Sequence, residues 1–195
     1  KSDIENTAWA IFAQASYEVS EKLDLTFGIR YSDDEKEADH VRFTPTPVAL
    51  APIKLDDDNV SWDLALSYAI NDNGQLYARA ASGFRAPTVQ DRLEDDPTVT
   101  TADSETIMSY EIGYKALLDK ARFNVAAFYY AVDDMQLTAV GGTNNSTALL
   151  NANEGIGYGV EFEIDYVVTE NFVISGGYGY SKTEINDGDL ALPPC

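Results

Sequence analysis

Eight stretches of roughly ten residues alternate apolar with small or polar side chains, and the links between them are by turns short and long. The first stretch places Trp9, Ile11, Ala13, Ala15 and Tyr17 on one parity, and the second does the same with Leu23, Leu25, Phe27, Ile29 and Tyr31. Val60, Trp62, Leu64, Leu66, Tyr68 and Ile70 form the third, Leu76 to Phe84 the fourth, and Met108, Tyr110, Ile112, Tyr114 and Ala116 the fifth. Phe123 to Ala131, Ile156 to Tyr166 (with Phe162 and Ile164) and Phe172 to Tyr180 complete the set. The intervening positions differ in kind: Asp24, Thr26, Gly28 and Arg30 in the second stretch, Ser61, Asp63 and Ser67 in the third, Gly157, Gly159, Glu161 and Glu163 in the seventh. Successive side chains of a strand point to opposite sides of its sheet, so each stretch is predicted to be a strand between an apolar and a polar medium.

The links carry the second rhythm. Glu18–Lys22, Asn71–Gln75, Leu117–Arg122 and Val167–Asn171 are tight and rich in turn residues. Asp33–Asn59, Arg85–Thr106 and Val132–Glu154 are long, and another long segment begins near Glu184. Loops beyond about 12–15 residues are uncommon in compact domains, and here every second link is one. A sandwich or lipocalin-like barrel also alternates. Three features favour lipid instead: the one-sided loop lengths, aromatic residues near strand ends (Trp9, Tyr17, Tyr31, Trp62, Tyr68, Phe84, Tyr166, Tyr180), and a strand length that crosses hydrocarbon when tilted. The predicted fold is an all-β, antiparallel transmembrane β-barrel meander. Trp9, Leu25, Phe27, Trp62, Leu64, Leu66, Tyr110, Ile112, Phe162 and Ile164 are its expected lipid-facing side chains. Open sheet edges do not survive in lipid, so these strands must close on one another or on further strands.

Composition narrows the function. With 33 acidic against 13 basic residues and a formal charge of -20, nucleic acid is not an expected partner, because phosphate binding needs clustered Lys and Arg. The acids gather in the long links, as a solvated repelling surface or as an attraction for cations and metal complexes at a mouth. The strand rhythm runs from end to end without a linker, which argues for one sheet, and the chain opens without an initiating Met or signal peptide, as a mature piece or internal segment would. Cys195, the single cysteine, reads as a free thiol or as half of a loop disulfide.

Motifs add little chemistry. Gly155-Ile-Gly157-Tyr-Gly159 has the wrong spacing for a dinucleotide loop and reads as strand glycines against a crowded interior. His40, in an acidic link, reads as solvated rather than catalytic, since no nucleophile is spaced to serve it. Asp33-Asp34-Glu35 and Asp56-Asp57-Asp58 lack the alternating ligand spacing of a calcium loop. No catalytic residue, resident metal or cofactor is expected. Arg30, Asp63, Arg79, Glu111, Lys115, Glu161 and Glu163 are expected to line the polar interior and pair across strands.

At Tyr77-Ala-Arg-Ala-Ala-Ser-Gly-Phe-Arg-Ala-Pro87 the chain resembles the barrel of TonB-dependent outer-membrane receptors. Leu25–Tyr31, Glu105–Lys115, Phe128-Tyr-Tyr and Asn151–Glu161 follow in that family's order. The resemblance implies residence in the outer membrane of a Gram-negative bacterium, in contact with its lipid, and a barrel of about 22 strands around an N-terminal plug. It also implies uptake of a small-molecule ligand such as a ferric siderophore, cobalamin or a sugar, energised by the TonB complex through the plug and its TonB box. Residues 1–195 would then be a partial barrel, with the plug, the remaining strands and the closing C-terminal strand outside the chain. Ligand capture is expected in the long links, with Arg85, Asp91 and Arg92 as candidates. The alternative is a small closed barrel of eight strands acting as an anchor or adhesin.

Overall fold

A computed structural model describes residues 2–43, 47–90, 99–141 and 146–188. The eight predicted strands are present as β1 (Ser2–Ser20), β2 (Leu23–Phe43), β4 (Ile53–Asn71), β5 (Gly74–Arg85), β8 (Glu105–Leu117), β9 (Ala121–Gly141), β10 (Ser146–Thr169) and β11 (Phe172–Ile185). Three short strands, β3 (Pro47–Ala49), β6 (Thr88–Val89) and β7 (Thr101–Ala102), lie in the long links. The long strands form one antiparallel sheet in the order β1-β2-β4-β5-β8-β9-β10-β11, with β3 paired to β2 and β6 to β7. Among the described residues β1 pairs with β2 alone and β11 with β10 alone. The sheet is therefore open, as an arc of a larger barrel is and a closed eight-stranded barrel is not.

Register decides whether the alternation was read correctly, because a slip of one residue would turn a strand inside out. One rung runs Tyr17–Leu25–Leu66–Ala78–Ile112–Ala127–Val160–Tyr180 across all eight strands, apolar throughout. The next rung is Ser16–Thr26–Ala65–Arg79–Glu111–Phe128–Gly159–Ser181. The ten side chains expected to meet lipid thus stand on one face, and that face is uncovered by protein: Trp9 is 55% and Ile112 59% exposed. Aromatic pairs mark its two ends, Trp9 with Tyr31 (centroids 5.3 Å apart) toward the long links and Tyr114 with Phe123 (5.7 Å) toward the short turns.

The short links are turns of two or three residues, and consecutive ones are stitched along one edge: Ala69 N donates to Lys22 O, Leu117 N to Asn73 O and Val167 N to Lys120 O. Asn71 Oδ1 accepts from Asn73 N at 3.0 Å, the local side-chain bond that makes asparagine a turn former. The long links differ from expectation. Asp33–Phe43 belongs to β2 and Ile53–Asn59 to β4, and β9 and β10 pair on to Gly141 and Ser146. Beyond the apolar band the outward face turns polar as well, with Asp33, Glu35 and Glu37 on β2, so the hydrogen-bond ladder continues while the alternation that reveals a strand disappears.

The polar face bears out two expectations. Arg79 Nε lies 2.5 Å from Asp63 Oδ2, and Arg122 Nη2 2.7 Å from Asp165 Oδ2. Glycines stand beneath aromatic rings: a Cβ at Gly157 would run into Tyr130, one at Gly159 into Phe128, and one at Gly113 into Tyr77. Each glycine is the cross-strand partner of its ring, so the absent side chain lets the ring lie over the neighbouring strand. Phe128 and Tyr130 stack nearly parallel at 6.4 Å, and Lys115 Nζ sits 4.7 Å from the Tyr77 centroid.

Candidate functional site

Arg85 closes β5, Glu105 opens β8 directly opposite it, and the described residues between them, 86–90 and 99–104, fold over the polar face. This segment, here called the strap, carries the β6–β7 hairpin and is tied down on both sides. On one side Lys36 Nζ donates to Pro87 O (3.0 Å), His40 Nε2 donates to Gln90 O (2.9 Å), and the Ser104 hydroxyl donates to Asp57. On the other, Gln136 Nε2 donates to both Ala86 O and Asp103 O at 2.9 Å, pinning the two ends of the strap with one amide. Asn151 repeats the device, donating to Asp103 O (2.9 Å) and Asp134 O (2.6 Å) while accepting from Asp103 N (2.8 Å). Asp134 takes φ 53°, a left-handed conformation that aspartate tolerates better than most residues.

Gln90 is the centre of the strap. Its Nε2 donates to Thr147 O, its Oε1 accepts from Thr100 Oγ1, and that hydroxyl accepts from Leu149 N. Because β2 and β10 are separated by four strands of the sheet yet touch the same strap, the sheet is curled with its polar face concave. The packed interior of this molecule lies under the strap, where Ala38, Val89, Ala102, Ala152, His40, Gln90 and Gln136 are all buried. His40 is 1% exposed, which corrects the expectation of a solvated residue. It is an even position of β2, whose even positions face inward, and the strap covers it; its bond to a carbonyl requires the proton on Nε2.

Beside the strap lies a cavity of about 520 Å³ with Ile4, Val89 and Leu149 as apolar lining and Thr88, Gln90, Thr138 and Thr147 as polar lining. Among the described residues its charged lining consists of Lys36 and Arg85. Arg85 also pairs with Glu105 at 3.5 Å, a long contact that leaves its side chain 62% exposed. Of the three residues expected to bind ligand, Arg85 lines this cavity from the end of β5, not from a loop. Asp91 and Arg92 lie outside the described residues, as does Cys195. Lys36 was hidden among acids, although continuing the alternation of β2 past Asp33 puts both Lys36 and His40 on the inner face. Gln136 and Asn151 gave no sequence signal, since their partners are backbone groups distant in the chain.

Residues 1–193 match the model of the TonB dependent receptor-like β-barrel, and the chain belongs to that family. The family is one of outer-membrane receptors of Gram-negative bacteria, and this chain is part of such a receptor's barrel. It is similar to the pesticin receptor of Yersinia pestis, 27% identical over 161 residues that cover 79% of this chain and 23% of the receptor. Its fold matches that of the ferric yersiniabactin uptake receptor FyuA from Yersinia pestis with TM-score 0.81, at 19% identity and over 95% of this chain and 28% of that one. It also matches the copper transporter OprC with TM-score 0.83, at 17% identity and over 94% and 30% of the two chains.

Proposed function

We propose that the full-length protein is a TonB-energised importer of a scarce anionic metal complex, of the ferric siderophore type, and that the cavity between Lys36 and Arg85 helps to hold that ligand. The observation that carries the ligand class is the pair of cations at a cavity in a strongly acidic chain. The relatives named for ferric yersiniabactin and copper are consistent with a metal complex as cargo. In this reading the uncovered apolar band faces outer-membrane lipid, the concave face encloses a plug domain, and TonB acts through that plug. An enzymatic role has no support in the family, and a small closed anchor barrel is at odds with the open sheet.

The test is uptake of radiolabelled ferric catecholate, hydroxamate and mixed-type siderophores by cells expressing the full-length protein. Replacing both Lys36→Ala and Arg85→Ala should lower uptake of one class by about tenfold or more, the equivalent of 1.4 kcal/mol or more, at unchanged surface abundance. Equal uptake of every class by the double variant and the parent would overturn the assignment of the cavity.

A further inference from the structure

The sheet has a notch on its long-link side. Strand β5 parts from β4 after Ser82, which faces Trp62, and stays on β8 only as far as Arg85, where the strap begins. Its former neighbour β4 runs on to Ile53 beside β2, and β9 runs on to Gly141 beside β10. Among the described residues no strand pairs with the flanks of β4 and β9 that face each other across this interval. Lower down, β5 and β8 fill it, so the notch is three strand spacings wide, roughly 14 Å.

Backbone groups point into the notch at every second residue. Ala69 N donates to Lys22 O, so the odd residues of β4 bond to β2, and Lys54, Asp56, Asp58 and Val60 turn their amides and carbonyls to the open flank. All four are exposed. On β9, Gln136 N donates to Glu105 Oε2 at 2.6 Å, which sets Gln136, Thr138 and Val140 toward the same interval. The protein caps a comparable flank on β10, where Leu149 N donates to Thr100 Oγ1 and Thr147 O accepts from Gln90. On β4 it covers one place only, with Asp57, whose carboxylate accepts from Asp58 N at 2.9 Å and from the Ser104 hydroxyl. Amides and carbonyls that repeat along a strand are matched by another extended chain. A helix about 10–12 Å across fits the width, but its backbone groups are already spent on one another. Charge narrows the choice further. Asp56 and Asp58 stand on the β4 edge beside Glu35 and Asp33 of β2, and Asp133 and Asp134 are exposed at the foot of the β9 edge. These acids repel a second copy of the same edge and attract lysine or arginine.

We propose that the notch docks a basic β-hairpin of a protein partner, one strand adding to β4 and the other to β9, so that the sheet continues above Arg85. The long links of these barrels face the outside, so the partner arrives at the cell surface. This goes beyond ligand import and does not depend on the cavity at Lys36 and Arg85. The test uses the full-length protein in detergent and a synthetic disulfide-closed hairpin of alternating lysine and valine. The hairpin should bind at least about tenfold more tightly than its glutamate counterpart, a copy N-methylated at its outward amides, or a lysine-rich helix of equal charge. Binding should slow amide exchange at Lys54, Asp56, Val60, Thr138 and Val140 and leave Leu64–Tyr68 unchanged. Asp56→Pro removes one N–H from the open flank without touching the β2 ladder, and should weaken binding about tenfold more than Asp56→Ala. The N-methylated peptide asks the same question of the unaltered protein if the proline variant does not assemble. Equal binding of the N-methylated hairpin or of the helix means attraction by charge alone and overturns strand addition. Equal binding of the glutamate hairpin overturns the basic partner. Amides at Lys54, Asp56 and Val60 that are already protected without peptide overturn the open edge, and a lysine hairpin that does not bind overturns the docking site.

Discussion

The lower and upper halves of the same strands are held by different physics. From Leu23 to Tyr31 strand β2 separates an apolar face from a polar one, and its side chains report that difference at every second position. From Ser32 to Ala38 the ladder continues with the same two neighbouring strands, yet the composition no longer alternates. The upper half keeps its shape through specific bonds, with Lys36 and His40 on one flank and Gln136 and Asn151 on the other fastening a strap across the concave face. The comparison teaches that a period of two reports a boundary between media. A strand with polar side chains on both faces is equally regular and leaves no such trace.

The contrast breaks most sharply in the lower half. Leu64→Arg places a charge on the uncovered face near the centre of the band and should cost about 2–4 kcal/mol, blocking assembly. Ala65→Arg, one residue away on the concave face, should be mild. Heat-modifiable electrophoretic mobility of the full-length protein from outer membranes reads both, and equal assembly of the two variants would remove the assignment of faces.

In the upper half the corresponding weak point is a hydrogen-bond hub. Gln136→Ala takes from Ala86 O its amide donor in a buried site and from Asp103 O one of two, at a cost of about 1–3 kcal/mol. Amide exchange across Ala86–Gln90 and Thr100–Glu105 should rise while the exchange of Leu64–Tyr68 stays as it was. Uniform loosening of both segments would show that the strap and the lower sheet are one cooperative unit.

A third prediction concerns close packing on the concave face. Gly157→Ala drives a Cβ into the Tyr130 ring and should destabilise by about 1–3 kcal/mol, whereas Gly179→Ala, with nothing within 4 Å, should be neutral within the scatter of surface substitutions. The thermal midpoint of the detergent-solubilised protein measures the difference.

These cases also show what the sequence made legible. Strand number, face and turn side were readable because lipid and water sort residues differently along the lower half of each long strand. Arg85 was reachable because it stands in a recognisable Gly-Phe-Arg-Ala-Pro segment. The strap was not readable, because Gln90, Gln136 and Asn151 each bind backbone groups whose proximity is created by the curl of the sheet. For the same reason His40, which stands among acids in the sequence, becomes the most buried large side chain in the described structure.

The smallest expected effect probes charge in the upper half. Strands β2 and β4 place Asp33 opposite Asp58, Asp34 opposite Asp57 and Glu35 opposite Asp56, like charges directly across the ladder. Two rungs further, Glu37 meets Lys54, and the hydrogen bond that the ammonium donates to that carboxylate holds Lys54 above its usual pKa. Converting the outermost repulsive rung with Glu35→Lys should gain roughly 0.2–1 kcal/mol locally. The gain should appear as slower amide exchange in Glu35–Ala38 and Ile53–Asp56 at low salt. It should vanish in 1 M salt, where the screening length falls to about 3 Å. Protection that persists in 1 M salt would mean that the lysine acts through packing of its stem along the sheet, and that the acid ladder is already relieved by the water around it.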